Sequence, residues 1–160
     1  MPVALENQVV LVVGASSGIG RETAVLFARE RARVMASARR KDRLRELQES
    51  LATEGFPIQI SAADASNAAA MRELAQHTRD RLGEIDILVY VTGTNIKDRA
   101  LKRLNTELWD MMIDVNLNGA YYITSAVLPG MRERRSGHLI YIASISGLAP
   151  DVSGAAYQAR

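Results

Sequence analysis

Gly14, Gly18 and Gly20, with Ser16 and Ser17 between the first two, stand in the run VVLVVGASSGIG over residues 9–20. Residues of these types at this spacing can bind phosphate. A glycine directly after a strand turns the chain tightly, a second lets backbone N–H groups approach a pyrophosphate with no Cβ in the way, and a third lets the following helix pack close. Here those are Gly14, Gly18 and Gly20, with Ile19 between the last two. The helix expected next, RETAVLFARERA, would aim its unpaired N–H groups and positive dipole end at the anion. The spacing is G-x-x-x-G-x-G rather than the general G-x-G-x-x-G, so the flanking strand and helix carry part of the inference. A glycine-rich turn with no ligand is the plain alternative. A P-loop is excluded, because Arg21 and Glu22 follow Gly20 where that motif needs Lys.

The second strand, RVMASA over residues 33–38, speaks to the other end of a dinucleotide. An NAD site places an acid about 20 residues beyond the turn, on the ribose 2′-hydroxyl. Ala38 holds that position, and Arg39, Arg40 and Lys41 follow it. A carboxylate would repel a 2′-phosphate, whereas a guanidinium can bind it bidentately. NADP is therefore the expected cofactor in preference to NAD, with Arg39 as the contact. Arg40, Lys41, Arg43 and Arg45 read as the solvated basic start of a helix.

These residues need elements to hold them. Strands are expected at 8–13, 33–37, 57–62, 85–91 and 137–143, alternating with helices, which is the pattern of a parallel sheet covered on both faces. Residues 41–54 place Leu44, Leu47 and Leu51 on one helical face and end at Gly55 as a C-cap. A helix over 67–82 has Ser66 or Asn67 as its cap and Gly83 as its stop. A long helix is expected from Asn105 or Thr106 towards Pro129, with Trp109, Met112, Ile113 and Leu117 on its apolar side. Arg132, Arg134 and Arg135 suit the negative end of its dipole. The fold class is thus α/β, a Rossmann-type doubly wound sheet, in one domain spanning residues 1–160.

Composition narrows the function. Of 160 residues, 48% are hydrophobic, enough for a core, and 20 basic against 18 acidic residues make no dedicated nucleic-acid surface. The absence of cysteine removes disulfides, thiolate catalysis and Cys-ligated zinc. His77 and His138 lack metal-ligand spacing, so no metal is expected. MPVALENQ is not a signal peptide and no apolar run spans a membrane, which makes a cytoplasmic protein with no membrane partner the expectation.

With these motifs in this order the chain resembles the short-chain dehydrogenase/reductase family, over its whole length. Val13 stands where the family often has Thr. Asp64, followed by Ala65, matches the position that meets the adenine. Tyr90, Val91, Thr92 and Gly93 fall where the family commonly reads Asn-Asn-Ala-Gly, and only the glycine is kept. The resemblance implies that Thr92 and Gly93 belong to the cofactor site. It also implies a catalytic set: Asn116 of VNLNG, whose backbone holds a relay water; Ser144 of ASISG, which polarises a carbonyl; and Tyr157 of AAYQA, the proton donor. Tyr157 follows Ser144 by 13 residues, the family's usual interval. Hydride transfer to a ketone builds negative charge on its oxygen, and hydroxyl donors with one deliverable proton are what that oxygen needs.

The family's Lys lies four residues after the Tyr, where a cation favours the phenolate, and here that position is 161, past Arg160. Arg160 is a poor substitute, because guanidinium stays charged. The chain is accordingly expected to be C-terminally truncated, ending before the usual last strands and substrate loop, and weakly active or inactive by itself. The expected function is an NADP-dependent oxidoreductase acting on a small-molecule alcohol or carbonyl, such as a 3-oxoacyl thioester, and a homo-oligomer when complete. The alternative is a catalytically inactive dinucleotide-binding fragment or sensor module.

Overall fold

The computed structural model describes residues 5–149, 152 and 154–159. Five strands form one parallel sheet: β1 (Val9–Val13), β2 (Arg33–Ala38), β3 (Gln59–Ala62), β4 (Ile87–Tyr90) and β5 (His138–Tyr141), in the order β3-β2-β1-β4-β5. Chain order reverses at β1. The connections through β2 and β3 run to one side of it and β4 and β5 lie on the other, which opens a crevice beyond the carboxyl ends of β1 and β4.

β1 is five aliphatic residues because it is buried on both faces. Val10 and Val12 face one layer, with Ala24, Val25 and Ala28 of α1 (Gly18–Arg29) and Leu44, Leu47 and Leu51 of α2 (Lys41–Thr53). Val9, Leu11 and Val13 face the other, with Met71 and Leu74 of α3 (Ala68–Leu82) and Ile123, Val127 and Met131 of α5 (Gly119–Arg134). Full burial of an aliphatic side chain is worth about 1.5–3 kcal/mol, so the two leucine and methionine stripes fix how these helices seat. The ends are capped as their residues dictate. Asn67, not Ser66, caps α3 by accepting the Ala70 N–H at 2.9 Å, Gly83 ends it with φ 96°, and Gly55, one residue beyond the α2 cap Glu54, has φ 86°.

The long helix departs from expectation. It starts after Asn105 as α4 (Thr106–Ile113), widens into a π turn over Asp114–Asn118, and resumes as α5, which passes through Pro129 and closes at Arg134. A proline lacks the N–H for one intrahelical bond, yet the surrounding turns hold the helix through it. Met112 is fully buried, but Trp109 is 36% and Leu117 45% exposed, so the apolar stripe is narrower than the periodicity implied. Beyond β5 a short 3₁₀ turn (Ile145–Gly147) leads to α6 (Ala155–Gln158), which packs against that turn and α4.

β5 is a sheet edge, and Ile140, Tyr141 and Ile142 along it are each about two-fifths exposed. An apolar edge with unpaired N–H and C=O groups templates pairing with another chain. The 160-residue chain is expected to self-associate by light scattering, and Ile140→Lys to raise the monomer fraction; a monodisperse monomer for the unmodified chain would contradict this.

Candidate active site

At the crevice the glycines are set by contacts rather than by sequence habit. Gly14 has φ 109°, and a Cβ there would lie 2.8 Å from the Thr92 backbone nitrogen, so β1 and the chain leaving β4 touch backbone to backbone. A Cβ on Gly20 would strike the Gly14 carbonyl, so α1 begins directly on the turn. Gly18, with φ 55°, faces open space. The turn is held to β2 by the Gly14 and Ala15 N–H groups, which donate to the Ser37 carbonyl at 2.8 and 2.9 Å. Ser17, the residue before α1, makes no side-chain cap bond, which leaves the first N–H groups of the helix for an anion.

A cavity of about 200 Å³ opens there, lined by Gly14, Ser16, Ser17, Ala38, Arg39, Arg40, Asp64, Ala65, Thr92 and Gly93, among others. Gly18 and Ile19 sit beside its wall, Ile19 exposed, and Gly20 is buried beneath the turn. Arg39 is exposed and has no ion-pair partner among the described residues. Asp64 accepts the Ser66 N–H at 3.0 Å and its hydroxyl at 2.8 Å, which shapes the loop after β3.

Arg40 is exposed at the start of α2, as expected, but it is also bonded to the glycine turn. Its Nη2 donates to Ser16 Oγ at 2.9 Å and to Ser17 Oγ at 2.8 Å, strapping the start of α2 across the glycine turn. Arg43, by contrast, pairs in solvent with Glu46 at 3.1 Å. Charge counting could not separate them; the cap position of Arg40, which aims its side chain back over the sheet end, could have.

A second cavity of about 350 Å³ adjoins the first and is lined by Tyr90, Thr92, Asn116, Ala120, Tyr141, Ile142, Ala143, Ser144, Gly147 and Leu148. It brings Asn116 and Ser144 together. The Asn116 side chain is spent on the backbone of Thr94, accepting its N–H at 2.7 Å and donating to its carbonyl at 2.9 Å. Ser144 Oγ donates to Ser146 Oγ at 3.1 Å and accepts the Ser146 N–H at 3.3 Å. Tyr157, half-buried in α6, is not in this wall, although α6 packs on the turn that follows Ser144. Arg160 lies outside the described residues.

Tyr90 is the residue whose role the sequence did not show. Buried at the end of β4, its hydroxyl donates to the Val115 carbonyl inside the π turn. Burial, reinforced by the charge of Asp64, pushes its phenol well above the ordinary tyrosine value, so the proton it donates is retained. Gly119 makes the approach possible: a Cβ there would collide with the Tyr90 hydroxyl and come within 2.8 Å of the Ala65 carbonyl.

A parallel sheet with a glycine turn at its switch point defines a Rossmann-type nucleotide-binding domain. A family model described as short chain dehydrogenase matches residues 8–160. An uncharacterized oxidoreductase of Staphylococcus saprophyticus is 36% identical over 158 residues, covering 98% of this chain and 67% of its own. A metagenomic short-chain oxidoreductase solved in complex with NADP superposes with a TM-score of 0.92 at 34% identity, over 97% of this chain and 70% of that one. An actinorhodin polyketide ketoreductase variant solved with NADPH gives 0.89 at 34%, over 95% and 59%. The chain therefore belongs to the short chain dehydrogenase family. It spans about two thirds of the length of the relatives it matches.

Two outcomes follow for this site. Gly119→Ala, which overpacks backbone against a buried phenol, should cost about 1–3 kcal/mol in urea unfolding. For Tyr90, the unfolded chain releases the phenol proton near pH ~10 while the folded chain keeps it. Its contribution is thus fully present below that pH and is lost as pH rises towards the folded value. Between about pH 9 and about pH 11 the melting temperature of the unmodified chain should fall more steeply than that of Tyr90→Phe.

Proposed function

We propose that this chain forms the cofactor-binding and reacting-group part of an NADP-dependent oxidoreductase that interconverts a small alcohol and a carbonyl. The observation that carries the reading is the first cavity. β2 ends in Ala38, with no acid to meet a ribose 2′-hydroxyl, and Arg39 and Arg40 flank the space beside Ser16 and Ser17. The fit to a dinucleotide rests on the open side of Gly18, the uncapped start of α1 and these two guanidiniums. Family relatives solved with NADP or NADPH support the same choice.

When bound, the nicotinamide would supply or accept the hydride. The rest falls to the chain. Backbone N–H groups at the start of α1 would hold the pyrophosphate and Arg39 with Arg40 the 2′-phosphate, while Asp64 and Ala65 border the adenine side. Ser144, whose oxygen already accepts the Ser146 N–H, would turn its own proton from Ser146 Oγ towards the substrate oxygen. Tyr157 would deliver the proton, and the Asn116 backbone, its side chain being committed to Thr94, would hold the relay water. A 3-oxoacyl thioester is one carbonyl such a site would take, and the complete protein would work as a homo-oligomer in the cytoplasm.

Titration of the 160-residue chain tests the cofactor assignment. NADPH should bind more tightly than NADH, and Arg39→Ala should cost about 1.5–3 kcal/mol for NADPH, the scale of a hydrogen bond to a charged group, with NADH little changed. Gly18→Val should weaken both, since it strains a left-handed residue and fills the open side of the turn. Equal affinities for the two cofactors in the unmodified chain would overturn the NADP reading.

A further inference from the structure

We infer that Tyr90 is a positioning residue for the reacting site: its hydroxyl, bonded to the Val115 carbonyl, holds the π turn in the shape that presents Asn116. The inference rests on the proposed role of Asn116 and concerns how that residue is kept in place.

Five observations converge on it. An i→i+5 turn loosens the normal ladder, and here the Gly119 N–H closes onto the Asp114 carbonyl across the turn. Such a turn leaves its carbonyls less regularly paired than an α turn does, and a donor from outside the helix can fix one of them. Tyr90 does this from the end of β4, a rigid central strand paired on one side with β1 and on the other with β5. Next to the held carbonyl, Asn116 clamps Thr94 by two bonds, so helix and post-β4 loop are joined at neighbouring points. Gly119, lacking a side chain, allows the phenol to reach the turn at all. Tyr90 also lines the second cavity together with Asn116 and Ser144, so the lock sits in the wall it would organise. A merely space-filling aromatic would not need the hydroxyl contact to the Val115 carbonyl.

The test is amide hydrogen exchange by NMR on the full 160-residue chain, with Tyr90→Phe as the variant. Loss of one buried hydrogen bond should speed exchange of the Thr94 and Gly119 amides by roughly tenfold and shift the Val115 carbonyl resonance, while amides in the centre of β1 keep their protection. Gly119→Ala, which keeps the hydroxyl but drives it from the turn, should loosen the Thr94 amide in the same way and covers the case in which Tyr90→Phe fails to fold. Unchanged exchange at Thr94 and Gly119, or a uniform loss across the sheet, would overturn the inference. Turnover does not enter this measurement. An inactive complete enzyme that still shows the local pattern would count against the relay role of Asn116 and leave the positioning role of Tyr90 standing.

Discussion

The contact on which this structure depends is the close approach of three backbones at the end of β1. Gly14 rests on Thr92, and Gly20 rests on Gly14. Because no side chain separates them, the turn, the start of α1 and the loop leaving β4 share one compact corner. The residues lining both cavities are arranged around it. Arg39, Arg40 and Asp64 arrive from the β2 and β3 side, and Asn116 and Ser144 from the β4 and β5 side. A Cβ at Gly14 would push these two halves apart, and one at Gly20 would lift α1 off the turn.

The two halves are then fastened by different physics. On one side the fastening is a charged side chain over hydroxyls, Arg40 to Ser16 and Ser17, exposed to water and open to exchange with an anion. On the other it is neutral and further from water, with Tyr90 on Val115 buried and Asn116 on Thr94 half-buried. The exposed strap can give way when a phosphate competes for the guanidinium. Buried bonds of the second kind leave an unsatisfied group if broken, so they hold geometry rather than trade it.

Most of the scaffold was legible in the sequence because burial writes itself as period. Five strands at nearly the expected places, the Leu44, Leu47 and Leu51 stripe, and the Asn67 and Gly83 ends all follow from local chemistry. The parts that were not legible are those where a local rule meets a tertiary partner. Arg40 looked like one of several solvated cations until the fold placed two hydroxyls beneath it. The π turn leaves no periodic signature over five residues, and Trp109 and Leu117 match a helical stripe yet stand open to solvent. Tyr90 read only as a missing asparagine. The glycine in VNLNG was the available clue, since a glycine inside a long helix commonly marks the close approach of another group.

The π turn also separates two things that a change of chain length would affect differently. A turn of this kind is one surplus residue absorbed within a single helical loop, so the segments on either side keep the phase they would have in an unbroken helix. Removing one residue between Asp114 and Asn118 would let the loop close to the regular form, and Ile123, Val127 and Met131 would still meet the sheet. The Val115 carbonyl would turn away from the Tyr90 hydroxyl, and Asn116 would shift against Thr94. For this helix, the core packing tolerates a one-residue deletion that the joint between helix and post-β4 loop does not, so the same outer shape with that joint undone lies a single codon away.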